Sequence, residues 1–515
     1  MRKVVIAALI AVLGLTGCTS GNSASSPAAS NAATQETAAA GSASTASDRA
    51  PMPPSLPLPP RYANPNGEPF DSMYFEHAGT NPFISTEDDV LSTFALDVDT
   101  GSYAIARNYF ANGAVPPKDA IRVEEFINYF APSYPAPSNG QTFSIYSDGG
   151  PSPFGEGYHL LRVGLKGKVI PDEERLPANL TFAIDLSGSM ARDNRIGLVK
   201  QSLNLLVDSL KPSDQIAIVG YGTGAEIILE PVSLEEADKI KKTIDGLKTS
   251  GSTYAEQGLK LAYELAERQL DTSAINRVIL LSDGVANLGE TSAEGILESI
   301  KEYADKGITL TTVGFGLGNY NDVLMEQLAN QGDGVYAYVD SFTEARRLFN
   351  EDLAGTLQTI ARDARIQVEF NPETVDRYRL IGYENRDMDD EDFRNDEKDA
   401  GEVGAGHTVT ALYEVKIKED GDLYNIATAT IRYMDEATQE FKEQSAKLRV
   451  SEELSGELQF LAAVAEYAEI LRDSYWAKDG SMADVLKLAE QTAAGEKEQQ
   501  FVTMIKDTIA LLGNK

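Results

Sequence analysis

Between residues 178 and 357, short apolar runs alternate with segments of helical period, and this constrains the fold more than any other feature of the chain. The apolar runs fall at 180–184, 215–221, 226–229, 277–281, 308–314 and 335–339. Helical runs fall at 195–210, 234–247, 254–270, 293–305, 321–330 and 342–357. A strand that is apolar at nearly every position needs cover on both faces, and crossover helices supply it. Right-handed crossovers then give a doubly wound, mainly parallel α/β sheet. In such a sheet the loops beyond the carboxyl ends of the strands gather at one edge, where ligands bind.

Three of those loops carry hard oxygen donors. The first strand ends in Asp185-Leu186-Ser187-Gly188-Ser189, one carboxylate and two hydroxyls at alternate positions. Residues spaced in this way can converge on a small cation such as Mg²⁺, which prefers oxygens at about 2.1 Å. The same residue types close turns and cap helices, so the pattern alone does not establish a metal site. Thr253, in Gly251-Ser252-Thr253, stands just ahead of the 254–270 helix, and Asp283 follows the 277–281 strand.

Taken together, these segments resemble the metal-ion-dependent adhesion site of von Willebrand factor A (vWA) domains. The resemblance implies a Rossmann-like vWA domain over residues 172–360, expected to fold without its flanks. It places Asp185, Ser187 and Ser189 in the first ligand loop, Thr253 in the second and Asp283 in the third. The implied cofactor is Mg²⁺, with Mn²⁺ or Ca²⁺ as alternatives, and the implied partner is a protein that offers a carboxylate to an open coordination position. Two ionised carboxylates leave a bound dication little net charge, so it stays electrophilic towards an acidic ligand. Without a cation they repel each other, so replacing either by alanine is expected to spare the metal-free fold.

The amino terminus predicts a location. Met1-Arg2-Lys3 and the apolar stretch 4–15 have the form of a secretory signal. The stretch is shorter than the ~20 residues of a spanning helix. It leads into Leu15-Thr16-Gly17-Cys18, which resembles a bacterial lipobox and implies acylation of Cys18, with palmitate among the acyl groups. Cys18 is the only cysteine in the chain, so no intramolecular disulfide forms. Residues 19–62 are Ser/Ala/Thr-rich and then proline-rich, the composition of a flexible and then extended tether. The expected setting is the cell envelope, with the folded part extracytoplasmic and lipid-anchored. A formal charge of −34 excludes nucleic-acid binding through phosphate contacts.

On either side of the α/β segment the pattern changes. Residues 65–140 suggest a small N-terminal accessory domain, with a strand at 93–99 and helices at 104–110 and 118–130. Asp97 and Asp99 there read either as a second metal pair or, in the commoner arrangement, as strand-end carboxylates with Asp99 or Thr100 capping the helix. Strand alternation appears at 142–146, 159–165, 364–370, 408–415, 425–433 and 445–450. Segments 141–171 and 364–450 are therefore expected to form one β-sandwich with the α/β domain inserted in it. The acidic run 387–399 lacks the spacing of a calcium loop and reads as a solvated charge run. Residues 451–515 read as C-terminal helices.

Longer blocks carry a second resemblance. Phe94-Ala95-Leu96-Asp97-Val98-Asp99-Thr100, Pro177-Ala178-Asn179, Asn371-Pro372, Arg379-Leu380-Ile381-Gly382-Tyr383-Glu384-Asn385 and the stretch 404–414 resemble the YfbK-type bacterial lipoproteins, over about residues 85–510.

Catalysis is not expected. His77, His159 and His407 are the only histidines, and they show no zinc-site spacing. Ser187 is not in a nucleophile elbow. Gly314-Phe315-Gly316-Leu317-Gly318 lacks the Lys-Ser/Thr of a phosphate loop. The expected function is a membrane-anchored binding module acting through its metal site; the alternative is an assembly or scaffold factor for a multiprotein envelope complex.

Overall fold

The computed structural model describes residues 73–513, apart from 139, 285–288, 290, 305 and 319. The expected signal peptide, Cys18 and the 19–62 tether lie outside the described residues.

The α/β sheet has six strands, in the order Tyr336–Val339, Thr309–Phe315, Ile275–Ser282, Ala178–Asp185, Gln215–Tyr221 and Ala225–Ser233. Neighbours are parallel except for the last pair, an antiparallel hairpin. This is the doubly wound, mainly parallel α/β fold expected from the alternation. Every residue of the central strand Ala178–Asp185 is buried, and its side chains alternate between two cores. Leu180, Phe182 and Ile184 pack with Val199, Leu203 and Leu206 of helix Arg195–Ser209 on one side. Ala183 packs with Leu259, Ala262 and Ala266 of helix Ala255–Arg268 on the other. The buried Arg175–Asp214 ion pair (2.6 Å) fixes the start of this strand, because Asp214 also accepts from the Ala178 amide at 2.9 Å. The helix expected at 342–357 is broken into Phe342–Arg346, a wider π turn at Arg347–Glu351, and Leu353–Leu357.

Two antiparallel five-stranded sheets make the sandwich. One contains Gly401–Gly404, Thr359–Phe370, Ala427–Asp435 and Glu440–Leu448; the other contains Val375–Ile381, Thr408–Ile417, His159–Gly167 and Phe143–Pro151. Phe143, Leu161, Val163, Ile366, Val368, Tyr413 and Ile431 fill the space between them. The α/β domain leaves the sandwich after Gly167 and returns to it at Thr359.

Residues 73–140 do not form a separate accessory domain. Ile84–Ser85 pairs with Val375–Ile381, and Leu91–Ala95 pairs with Thr359–Phe370, so each strand completes a sandwich sheet. Strands of two and five residues gain stability by adding to an existing edge, not by pairing with each other. Helix Gly101–Ala111 is buried on two faces. Ala104, Ile105 and Tyr109 join the α/β core beside Tyr320 and Tyr336, while Tyr103, Ala106 and Phe110 face the helix Val123–Tyr129 and the C-terminal helices. Gly101 permits this approach, since a Cβ there would lie 2.6 Å from the Tyr336 ring. The C-terminal helices Gly456–Leu471, Met482–Thr492 and Glu496–Gly513 share one aromatic core with the N-terminal ones. In that core the Phe501 ring lies 5.2 Å from both Phe130 and Tyr467. The helices expected in the N-terminal and C-terminal units are thus parts of one helical layer, while the N-terminal strands belong to the sandwich.

Asp97 and Asp99 do not cap the helix either. Thr100 occupies the cap position without a side-chain bond, and the Ser102 amide donates instead to Glu125 at 2.7 Å. Asp97 pairs with Arg386 at 3.0 Å, and Asp99 accepts from the Tyr336 amide at 3.2 Å. Both carboxylates therefore serve as cross-links between the N-terminal segment, the sandwich and the α/β sheet.

Candidate metal centre

Asp185 ends the central strand and Asp283 follows the neighbouring strand Ile275–Ser282, so parallel pairing sets the two acids at adjacent strand ends. Both are fully buried. The Ser187 amide donates to one Asp185 oxygen and the Ser282 hydroxyl to the other, each at 2.8 Å. The hydroxyls of Ser187 and Ser189 lie 2.8 Å apart. Backbone bonds join the loops: Leu186 donates to Tyr221 (2.7 Å), Ser250 to Leu186 (2.6 Å) and Gly188 to Gly251 (3.0 Å). Thr253, also buried, follows Ser250 and Gly251 on their loop and precedes helix Ala255–Arg268. Gly222 lets these loops close, because a Cβ there would lie 2.9 Å from the Ser250 carbonyl.

All five residues expected to bind metal thus lie on loops that meet at the carboxyl edge of the sheet. The donors are two carboxylates and three hydroxyls, the hard-oxygen chemistry that Mg²⁺, Mn²⁺ and Ca²⁺ prefer. Burial pushes the Asp185 carboxyl up to about 7; the charge of Asp283 adds to the rise, and hydrogen bonds from Ser187 and Ser282 oppose it. A positive charge between the acids would oppose that rise, since an opposite charge favours the ionised form. The residues fit a divalent cation.

Arg195 was not anticipated from the sequence. Its buried guanidinium donates to Asp283 at 2.8 Å and also to the Leu317 carbonyl. Room for it comes from Gly316, at φ +82°, where a Cβ would lie 2.1 Å from the Arg195 Nε. The glycines of 314–318 therefore admit this arginine and the Tyr320 ring, which lies 2.6 Å from where a Gly314 Cβ would be. The available signal was an arginine opening a helix whose inner face is otherwise uncharged.

His407 sits in the turn just before strand Thr408–Ile417. Its amide bonds to the Gly404 carbonyl at 3.2 Å, and its carbonyl accepts from Gly167 at 2.9 Å. Burial pushes its ring down to about 4, so it stays neutral in the physiological range.

The sequence matches three family descriptions: "von Willebrand factor type A domain" over residues 179–351, "Uncharacterized protein YfbK, C-terminal" over 355–450 and 420–511, and "von Willebrand factor" over 69–162. It is 36% identical over 465 residues to the Uncharacterized protein YfbK of Escherichia coli K12, covering 84% of this chain and 80% of that one. It is 29% identical over 191 residues to human inter-alpha-trypsin inhibitor heavy chain H4, covering 36% of this chain and 19% of that one. Among solved structures it is similar to a von Willebrand factor type A protein from Catenulispora acidiphila, at 15% identity and a TM-score of 0.42, over 72% of this chain and 91% of that one. Domains of the vWA type are protein-interaction modules that often depend on a divalent metal. The chain belongs to the YfbK family and carries that family's vWA domain between its characteristic flanks.

Proposed function

We propose that this protein is an extracytoplasmic binding module, held to a membrane by lipid on Cys18, that engages an acidic side chain of a partner protein and performs no catalysis. The observation that carries the reading is the pair of buried acids, Asp185 and Asp283, at adjacent strand ends among the hydroxyls of Ser187, Ser189 and Thr253. When bound, a divalent cation would supply a Lewis-acidic position for the partner's carboxylate. Asp185, Ser187 and Ser189 would hold it directly, and Thr253 and Asp283 directly or through water. With a formal charge of −34 the protein repels acidic partners at long range, so recognition must come from this local charge and not from steering.

Isothermal titration of Mg²⁺ or Mn²⁺ should give saturable heat with the wild type and none with Asp185→Ala. Capture from membrane extracts should then retain the same partner in Mg²⁺ but not in EDTA. Equal retention in EDTA, or by Asp185→Ala, would overturn the reading.

A further inference from the structure

We propose that the cleft between the 152–158 turn and helix Met482–Thr492 is a glycan-binding site, in which a non-acidic pyranose ring stacks on Trp476. The cleft encloses about 440 Å³, within the ~300–1,000 Å³ of small-ligand sites. Its walls come from the sandwich hairpin, helix Gly456–Leu471 and the segment 476–491, and none from the α/β domain. Pro153, Phe154 and Leu488 supply apolar surface, and Glu466, Asp484, Lys487 and Gln491 supply both donors and acceptors.

Trp476 is the observation that points to a ligand. It is the chain's only tryptophan, and it lines the cleft while staying 38% exposed, next to Tyr475 at 63%. Despite that exposure the ring is fixed. Its indole N–H donates to the Asn81 carbonyl at 2.9 Å, the Phe83 ring meets it nearly at a right angle (5.0 Å, 87°), and the Arg379 guanidinium lies 5.6 Å from its centre. The part of the ring left in water contributes no burial to the fold. Because the ring is already immobile, a ligand that covers it loses little to the ordering of the site.

A sugar ring matches both kinds of surface. Its C–H face is apolar and slightly positive, which the negative face of an aromatic ring attracts, and its rim is hydroxyl. Hydroxyls need donors and acceptors, and the polar side chains of this cleft are free to supply them. Among the described residues, Glu466, Asp484, Lys487 and Gln491 make no side-chain hydrogen bond or ion pair with the protein. Glu466 is partly buried, and burial pushes its carboxyl up to about 7, with Glu469 and Glu414 adding and Arg379 opposing. Arg379 is itself bonded to Glu414 at 2.7 Å. A protonated Glu466 donates as well as accepts. Gly480 sets its turn against this carboxyl, since a Cβ there would collide with the Glu466 oxygen. An acyl chain or an apolar peptide would leave these groups without partners. The acids Glu466, Asp479 and Asp484 outnumber Lys487, in a chain of formal charge −34, so an acidic polysaccharide is repelled.

The test follows Trp476 fluorescence in the full chain, in EDTA so that the Asp185 centre takes no part; with a single tryptophan the signal comes from this cleft alone. The probes are hexamers of β-linked glucose, N-acetylglucosamine and glucosamine, with a galacturonate hexamer as the acidic control. At least one non-acidic hexamer should shift the emission saturably, and galacturonate should not. Asp484→Ala and Gln491→Ala, at exposed positions, should each weaken binding of that hexamer about fivefold without changing the melting temperature. Trp476→Ala should abolish its heat in isothermal titration, whereas Trp476→Phe, which keeps an aromatic face, should retain weaker heat. No saturable shift with any of the three non-acidic hexamers, equal affinity for galacturonate, or affinity unchanged in both helix variants would overturn the proposal.

Discussion

At the scale of single residues, the two acids of the candidate centre are not equivalent. Asp185 is surrounded by hydroxyl and amide donors, whereas Asp283 neutralises the buried guanidinium of Arg195. The sequence led to the expectation that either acid could be replaced without harm to the metal-free fold, and the ion pair corrects this for Asp283. In chelator, Asp185→Ala should leave the melting temperature unchanged or raise it. Asp283→Ala should cost about 3 kcal/mol, since removing one partner strands a buried charge. Adding Arg195→Met to Asp283→Ala should recover much of the loss, and thermal melts of the four proteins would check this. Equal stability of the two single variants would show that Arg195 finds another partner. The five candidate residues that the fold brings together were legible because strand-end loops advertise themselves by composition. Arg195 and Ser282 were not, since their roles depend on which strand lies beside which.

At the scale of elements, the apolar strands of the α/β sheet were readable because each is buried on both faces. Strand Val375–Ile381 was missed because Asp376, Arg377 and Arg379 interrupt its apolar pattern, although only Arg377 is exposed. Strand Glu440–Leu448 starts before the expected 445 because it pairs residue by residue with Ala427–Asp435, and its charged residues Glu440, Lys442 and Glu443 hid that start. Helix Gly456–Leu471 offers a pH test. Burial pushes Glu466 up to about 7, with the charges of Glu469 and Glu414 adding and Arg379 opposing. A carboxyl raised in this way binds its proton more tightly in the folded state. Its contribution to stability is complete below about 4.5, the unfolded value, and is lost as the pH rises through about 7. The wild type should therefore lose more melting temperature between pH 5 and pH 8 than Glu466→Gln, by roughly 1–3 °C. Parallel pH profiles would sink the assignment.

At the scale of the whole molecule, the segment order was legible, but the boundaries between bodies were not. Local periodicity identifies helices without revealing which distant helix covers their second face. Gly101–Ala111 seals the α/β sheet against the helical layer, so a fragment of residues 172–360 would expose Tyr320 and Tyr336. That fragment is now expected to melt below the full chain and to aggregate, contrary to the independence its sequence suggests; a cooperative melt at the parent temperature would contradict this. Location has its own test. Wild type should label with palmitate and sediment with membranes, and Cys18→Ala should do neither; equal labelling would remove the anchor. The path of the chain through the inserted domain also bears on mechanical load. Both covalent connections leave the base of the α/β domain, where the Leu176 amide bonds the Gln358 side chain at 3.2 Å. A pull on the Asp185 edge is thus shared between two backbone strands, and the Arg107–Asp340 clamp (2.6 Å) ties the sheet sideways to the helical layer. Tension that would peel a domain held at one end is divided here, so a load applied at the Asp185 edge is not carried by one end of the sheet alone.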